Sequence, residues 1–203
     1  MTSSIPNNHT DLINYLIEKH HYKSYLEIGV KDVALNFTHI KCPIKMGIDP
    51  HPRCANVTFE MTSDEAFQYL FPQMFDIVFI DGLHQEQQVD RDIDNSLNVL
   101  KSGGIIIMHD CNPVNEVHAS EQDSGGVWNG SVYKSMIKIH QINPDCSFVL
   151  NFDQGCGIIY PTLAQKPIRM ITEPLDICWD VFNSRRADLL GLKNIEDCLH
   201  LLE

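Results

Sequence analysis

Apolar residues along this chain alternate between short β-rich runs and segments with helical periodicity. The runs that predict strands are Ser24 to Val30, Ile44 to Pro50, Val57 to Met61, Phe75 to Asp81 and Ile105 to Met108. Helical spacing predicts helices over Asn8 to His20, Ala34 to Ile40, Asp64 to Leu70 and Gln85 to Leu100. This alternation is typical of a Rossmann-like, doubly wound α/β sheet with helices on both faces.

Beyond these strands the pattern changes. Residues 112–130 are rich in Asn, Ser, Gly and acidic residues without periodicity, and loops of that length in compact domains are usually functional or disordered. Further segments predict a helix, an antiparallel hairpin and two terminal helices, over residues 128–140, 146–160, 178–190 and 195–202. We expect one domain over residues 1–203, with a core at about 22–162 and a helical extension at about 163–203.

The composition of the chain disfavours several classes of binding partner. The formal net charge of -12 disfavours nucleic acid and anionic membranes, which require clustered Lys and Arg. No apolar run approaches the roughly 20 residues of a membrane span, and the start lacks the features of a secretory signal. The seven scattered cysteines argue against a disulfide framework. We expect a cytoplasmic protein with a small-molecule substrate; the oligomeric state stays open, a homo-oligomer included.

Two strand ends carry residues suited to an adenosine-containing cofactor. Glu27 and Gly29 close the first strand, and Asp49 closes the second. A glycine there allows close backbone approach, and the acid can accept hydrogen bonds from ribose hydroxyls. The loop after Gly29 lacks the further glycines that a dinucleotide usually needs, so NAD and FAD fit less well than S-adenosylmethionine. The plainer alternative is that Gly29 is a turn and Asp49 a strand-end acid.

The next two strand ends carry acids and imidazoles. Asp81 and His84 follow one strand, and His109 and Asp110 follow its neighbour. Asp81, His109 and Asp110 are candidate ligands for a divalent cation, which would lower the pKa of a bound hydroxyl. His84 is a candidate general base, because imidazole titrates near neutral pH. A metal-free site that binds substrate through hydrogen bonds is the alternative.

Other polar and aromatic residues have plainer interpretations. Trp128 follows the glycine-rich loop and is either a lid over the site or a hydrophobic staple for the next helix. Cys111 is expected to be a packing residue rather than a soft metal ligand. An acidic run in the helix after the fourth strand is most simply a solvated face, at Glu86, Asp90, Asp92 and Asp94.

Taken together, these motifs resemble a known family. The segments YLEIGV, GIDP, FDIVFIDGLH, KSGGIIIMHDCNP and WNGSVYK are similar to class I S-adenosylmethionine-dependent methyltransferases, in particular the methyltransferase domain 24 group. The resemblance implies a seven-stranded sheet in the order 3-2-1-4-5-7-6 with the last strand antiparallel. It implies cofactor contacts at Glu27 and Gly29 with the methionine end, at Asp49 with the ribose, at Ser63 and Asp64 beside the adenine, and at Asp81.

Metal-dependent relatives within this class suggest further roles. Their acid after strand four and acidic pair after strand five bind magnesium, and a basic residue three positions after the first acid is the base. The corresponding residues are Asp81, then His109 and Asp110 or Asp110 and Cys111, and His84. The resemblance thus implies Mg²⁺ or Mn²⁺ at Asp81, His109 and Asp110, with His84 and Asp110 catalytic. The chain departs from the family pattern at Val33, Cys111 and Ser131.

The resulting expectation is a methyltransferase (EC 2.1.1.-) that acts on oxygen of a small-molecule or sugar-like hydroxyl, with S-adenosylmethionine as cofactor. Two alternatives stay open. One is a Rossmann-type oxidoreductase or hydroxylase on the same sheet, since a fold alone does not decide chemistry. The other is a non-catalytic module that binds the cofactor, to which Val33 and Ser131 point.

Overall fold

The computed structural model describes residues 5–53, 57–123, 125–170 and 173–202. A single sheet has six strands: β1 Ser24–Ile28, β2 Ile44–Ile48, β3 Phe75–Ile80, β4 Leu100–Met108, β5 Ser147–Leu150 and β6 Cys156–Ile159. Their order is β2-β1-β3-β4-β6-β5. The pairs among β1 to β4 are parallel, whereas β6 is antiparallel to both of its neighbours. The α/β class and the antiparallel strand are therefore confirmed.

The prediction of seven strands is wrong by one. The segment at 57–61 forms only an isolated parallel bridge, from Phe59 to Ile48. Phe59 donates to the carbonyl of Gly47 at 2.9 Å and accepts from the amide of Asp49 at 3.0 Å. The amide of Gly47 donates to the Thr58 hydroxyl at 3.1 Å instead of to a backbone carbonyl, and Thr62 already caps the next helix. The observed order thus differs from the predicted 3-2-1-4-5-7-6 by the missing third strand.

Helices cover both faces of the sheet. They are α1 His9–His20, α2 Ser63–Ala66, α3 Glu86–Val99, α4 Val132–Ile142, α5 Trp179–Leu190 and α6 Ile195–Cys198. Alternate strand residues point to opposite sides, as the pleat requires. One set, including Phe79 and Ile107, packs with α1 and α6. The other, including Val78 and Ile106, packs with α3, α4 and α5. No helix in the described part of the chain is long and apolar enough to span a membrane.

Several predicted helices are shorter than expected. The helix predicted after β1 is reduced to a single 3-10 turn, Phe37–His39, because the buried Asn36 side chain bonds instead to Glu27 and Tyr25. The helix predicted over 64–70 is divided into the short helix α2, which Thr62 caps, and a following 3-10 turn at Phe67–Tyr69. The predicted 128–140 helix begins only at Val132.

The acidic run on α3 is not a solvated face, so that interpretation is wrong. Glu86, Asp90 and Asp92 are all buried. The ammonium group of Lys138 on α4 lies 2.5 Å from Glu86 and 2.7 Å from Asp90. Asp94 accepts a hydrogen bond from the backbone of the C-terminal tail. This face of α3 therefore packs against α4 and the tail through paired charges.

Candidate active site

The carboxyl ends of β1 to β4 border a cavity of about 730 Å³. That volume is within the range of pockets that bury a small organic ligand. Most residues predicted from the sequence line it: Glu27, Gly29, Asp49, Ser63, Asp81, His84, His109 and Asp110. Asp64 is not among the lining residues. The open edge of the parallel sheet is where ligands of such folds bind.

Gly29 has a backbone that only glycine adopts easily here. Its φ is +91°, and a Cβ atom would lie 2.0 Å from the carbonyl oxygen of Asp81. The amide of Asp81 in turn donates to the carbonyl of Ile28 at 2.8 Å. The glycine therefore lets the loop after β1 cross directly over the end of β3, which brings the two strand ends into one cavity.

Glu27 lies at the floor of the cavity in a hydrogen-bonded group. It accepts a hydrogen bond from the Tyr25 hydroxyl at 2.5 Å and another from the Asn36 amide at 2.9 Å. Thr10 of α1 donates to the Asn36 oxygen at 2.7 Å. Burial raises the pKa of Glu27 to about 8, although the hydrogen bonds from Tyr25 and Asn36 act in the opposite direction. The sequence could have indicated Tyr25 as a partner of Glu27 only because the two residues share one face of β1. No sequence pattern indicated Asn36.

Asp49 is fixed by backbone amides. One carboxylate oxygen accepts from the amide of Lys31 and the other from the amide of His51, both at 2.7 Å. Each oxygen retains acceptor capacity, because an ionised carboxylate has about four lone-pair positions. The side chain can therefore accept hydroxyl groups from a ligand without losing its anchors.

Ser63 belongs to a buried polar group that the sequence did not indicate. Its hydroxyl donates to Asp92 at 2.6 Å, and Gln88 donates to both residues at 3.1 Å. Asp92 and Gln88 also line the cavity. Burial raises the pKa of Asp92 to about 6, against the lowering effect of its hydrogen bonds. The neighbouring Asp64 instead pairs with Arg91 at 3.1 Å.

The acids and imidazoles predicted at the ends of β3 and β4 come together. Nε2 of His84 lies 3.4 Å from Oδ1 of Asp81 and 3.4 Å from Oδ2 of Asp110. Nδ1 of His109 lies 3.4 Å and 3.3 Å from the same two oxygens. We call these four side chains the strand-end cluster. Asp81, His109 and Asp110 have the proximity required of metal ligands.

The conformation of the cluster is set by its neighbours. Asp110 has a φ of +62°, and its Oδ1 accepts from the Asn129 amide at 2.8 Å, which leaves Oδ2 facing the histidines. Nδ1 of His84 donates to the carbonyl of Trp128 at 2.7 Å. The rings of His84 and Trp128 stack with centroids 4.9 Å apart. Trp128, proposed as a lid or a staple, therefore covers His84 at the cavity wall.

Mutual attraction changes the ionisation of the cluster. Burial opposes charge on Asp81, but hydrogen bonds and charges from His109 and His84 hold its pKa well below the usual range. Burial likewise opposes charge on both histidines, whereas the neighbouring carboxylates raise the pKa of His84 and raise that of His109 strongly. The site therefore strongly favours positive charge between its carboxylates.

Two residues near the cluster were missed by the sequence analysis. Asp153, on the turn between β5 and β6, accepts from the backbone amide of His9 at 2.6 Å and lies 2.7 Å from its Nδ1. The same carboxylate lies 3.7 Å from Nε2 of His109. The contacts join residues 144 positions apart, so no local pattern could indicate them.

The thiol of Cys111 does not face the cavity. The thiol of Cys111 is fully buried and points toward the backbone of Met108 rather than the cavity, in agreement with the packing interpretation. Burial raises the pKa of this thiol to about 12. The six cysteines that the structure describes are all free thiols.

Comparison with known proteins agrees with this fold. A family profile described as a methyltransferase domain matches residues 17–111. The cofactor-bound protein Rv0187 from MTB superposes with a TM-score of 0.58 at 12% identity, over 79% of this chain and 83% of that one. A SAH-bound methyltransferase from Podospora anserina gives 0.54 at 14% identity, over 75% and 77%. An O-methyltransferase from Bacillus cereus in complex with SAH gives 0.52 at 11% identity, over 79% and 84%.

No curated protein sequence matches the chain. The fold and the family profile together confirm the resemblance to class I S-adenosylmethionine-dependent methyltransferases. Within that class, residues 17–111 carry the methyltransferase domain 24 match that the sequence motifs predicted.

Proposed function

We propose that this protein transfers the methyl group of S-adenosylmethionine to a hydroxyl oxygen of a small-molecule or sugar-like acceptor. The observation that carries the proposal is that two chemically different groups of residues line one cavity. The first half of this lining consists of Glu27, Gly29 and Asp49, and the second half is the strand-end cluster. The O-methyltransferase from Bacillus cereus with the same fold supports transfer to oxygen.

The first half suits the cofactor. The Gly29 turn leaves room for a ligand close to the backbone, and the lone pairs of Asp49 suit the two ribose hydroxyls. Glu27 provides an acidic group for the ammonium of the methionine portion. Ser63 and the adjoining Asp92 line the same cavity and would contact the adenine. The cofactor carries no phosphate, so the absence of a second glycine in this loop is no obstacle.

The second half suits activation of a hydroxyl. Methyl transfer requires the acceptor oxygen to lie in line with the sulfonium methyl group and to lose its proton. His84 and Asp110 are the predicted catalytic residues, with His84 as the proton acceptor. Asp81, His109 and Asp110 would hold a divalent cation, which when bound lowers the pKa of the hydroxyl.

Cofactor titration is the first test. We expect calorimetry and thermal shift to detect binding of S-adenosylmethionine and its demethylated product, and no comparable binding of NAD. Transfer of a labelled methyl group to a panel of hydroxylated acceptors then tests catalysis. A well-folded sample that binds NAD and not S-adenosylmethionine would favour the oxidoreductase alternative. Cofactor binding without transfer to any acceptor would favour the non-catalytic module.

A further inference from the structure

The loop after β1 places a lysine at the cavity. Lys31 lies two residues beyond Gly29, is exposed, and lines the cavity. Among the described lining residues it is the only lysine or arginine, whereas six residues of the same lining carry carboxylates: Glu27, Asp49, Asp81, Asp92, Asp110 and Asp123. None of the described residues pairs with its ammonium group. Within the described part of the chain, Lys31 is therefore an unpaired cation at an acidic cavity.

The backbone of Lys31 has a conformation that L-residues rarely adopt. Its φ is +50°, in the left-handed region that favours glycine. Two hydrogen bonds hold it there, because its amide donates to Asp49 at 2.7 Å and its carbonyl accepts from the amide of Arg53 at 2.6 Å. A glycine would adopt the same conformation without strain. A strained lysine beside a cavity points to a function for its side chain.

The first amides of this loop are all used within the protein. Free backbone amides in such loops are a common means of binding anions. Here the amides of Gly29 and Val30 both donate to the carbonyl of Ile48, at 2.8 Å and 3.4 Å, and the amide of Lys31 donates to Asp49. An anionic group bound at this loop must therefore take its compensating charge from a side chain.

The proposed cofactor brings an anionic group to this part of the cavity. Its methionine portion is a zwitterion, with an ammonium group and a carboxylate on the same carbon atom. Glu27 is the acid that we propose for the ammonium group, so the carboxylate must lie close to Glu27 and to the loop that follows it. Beside the acids of this lining, a bound carboxylate requires a cation as its partner.

We propose that Lys31 binds the carboxylate of the methionine portion of S-adenosylmethionine and thereby makes the site specific for the intact amino-acid group. Glu27 and Lys31 then supply opposite charges on the two sides of Gly29, which match the two charges of the zwitterion. A lysine suits an exposed position of this kind, because its flexible four-carbon stem lets the ammonium group follow the ligand. The inference rests on the proposed function and concerns the same cofactor site.

His51 is the rival for this role. It also lines the cavity and is exposed. However, its amide donates to Asp49 at 2.7 Å, so it lies beside the acid that we propose for the ribose. The remaining imidazoles of the described lining each have a carboxylate oxygen 2.7 to 3.4 Å from a ring nitrogen: His9, His84 and His109. Lys31 is therefore the stronger candidate.

Two ligands that differ only in the carboxylate test the proposal. S-adenosylmethionine and decarboxylated S-adenosylmethionine are titrated calorimetrically into the full chain near neutral pH. We expect the unaltered protein to bind S-adenosylmethionine at least about tenfold more tightly. An acidic cavity in which Lys31 had no such role would favour the decarboxylated ligand instead, because that ligand carries one more net positive charge.

Variants of Lys31 then assign the preference to its charge. Lys31→Met should remove most of it by weakening the binding of S-adenosylmethionine alone, and Lys31→Arg should retain it. His51→Gln should retain it as well. Lys41→Met is the matched charge control, because Lys41 is exposed and lies outside the cavity lining. It should change the affinity for neither ligand.

Lys31→Gly separates the charge of the side chain from the conformation of the backbone. Glycine adopts the left-handed conformation without strain, so the loop keeps its shape and loses only the side chain. This variant should lose the preference to the same extent as Lys31→Met. Thermal unfolding checks that each variant is folded, and if Lys31→Met distorts the loop, Lys31→Gly still decides the question.

Three results would overturn the proposal. They are a preference of the unaltered protein for the decarboxylated ligand or for neither, an equal loss of both ligands in Lys31→Met and Lys31→Gly, and loss of the preference in His51→Gln but not in Lys31→Met. In each case the unaltered protein still binds S-adenosylmethionine, so the proposed function is unaffected. A folded protein that binds neither ligand would instead contradict the proposed function, and the role of Lys31 with it.

Discussion

A Cβ atom on Gly29 would lie 2.0 Å from the carbonyl oxygen of Asp81, so the loop after β1 and the end of β3 are in direct backbone contact at the cavity. No side chain fits between the loop after β1 and the end of β3. The glycine is required for its size as well as for its φ of +91°. Close backbone contact, rather than a glycine-rich phosphate loop, therefore defines this part of the site.

Gly29→Ala should abolish cofactor binding and lower the melting temperature, because the loop must move away from Asp81. Gly103→Ala is a matched control: Gly103 also has a positive φ, +79°, but a Cβ there meets nothing within 4 Å. The control should show only backbone strain, on the order of 1 to 3 kcal/mol. Calorimetric titration and thermal unfolding check both variants. Equal cofactor binding by the two would contradict a steric role.

Asp49→Asn should weaken S-adenosylmethionine binding by about tenfold or more, because an amide has one acceptor oxygen where both carboxylate oxygens are already used by Lys31 and His51. Asp64→Asn is the comparison. The Asp64 side chain pairs with Arg91 and lies outside the cavity lining, so we expect little change in affinity. A large effect at Asp64 would support the adenine contact that the family resemblance implies.

Asp92 should make stability depend on pH in the acid range. Burial raises its pKa from 3.8 to about 6 in the folded protein. The folded state therefore binds this proton more tightly than the unfolded chain, and its contribution becomes less favourable as the pH rises from about 4 to about 6. The difference across that window is on the order of 3 kcal/mol.

Asp92→Asn removes that dependence. Relative to the unaltered protein, the variant should gain stability as the pH rises through this window, whatever constant offset its altered hydrogen bonds to Ser63 and Gln88 introduce. Urea unfolding at a series of pH values measures the difference. Parallel stability curves for the two proteins would show that Asp92 does not titrate as described.

Lys138→Met should destabilise the fold strongly. It leaves Glu86 and Asp90 buried without the ammonium group that now lies 2.5 Å and 2.7 Å from them. Breaking a buried ion pair costs about 3 to 5 kcal/mol. Arg91→Met, which breaks an exposed pair with Asp64, should cost about 1 kcal/mol or less. Chemical denaturation of both variants gives the comparison, and similar losses would mean that the buried charges find other partners.

The sequence revealed those parts of the site that depend on strand ends. Gly29, Asp49, Asp81 and His109 were predictable because the carboxyl ends of adjacent parallel strands meet at one edge. It did not reveal contacts between distant segments. The buried acids of α3 looked solvated because their partner, Lys138, lies 48 residues beyond Asp90. His9 and Asp153 meet only because α1 begins beside the turn of the hairpin.

The sequence patterns also failed to predict two short elements near the edge of the sheet correctly. The strand predicted at 57–61 has suitable composition, but only one bridge forms, and the Thr58 hydroxyl takes the Gly47 amide that a longer ladder would use. The helix predicted after β1 fails because Asn36 is used to hold Glu27 and Tyr25. In both cases a local side-chain hydrogen bond overrides a propensity that periodicity alone had indicated.

Removing the Trp128 ring should lower turnover without changing cofactor binding. Its ring stacks on His84 at 4.9 Å, its indole donates to the carbonyl of Ser120 at 2.7 Å, and its own carbonyl accepts from His84. Trp128→Ala keeps the carbonyl but removes the ring, so His84 loses its cover and one restraint on its orientation. We expect turnover to fall by on the order of tenfold to a hundredfold, with cofactor affinity nearly unchanged.

Trp128→Phe should restore most of the turnover, because it keeps the stacking surface. If cofactor affinity falls in parallel with turnover, the ring contacts the cofactor instead, and if neither changes, Trp128 serves only to hold the loop to α4.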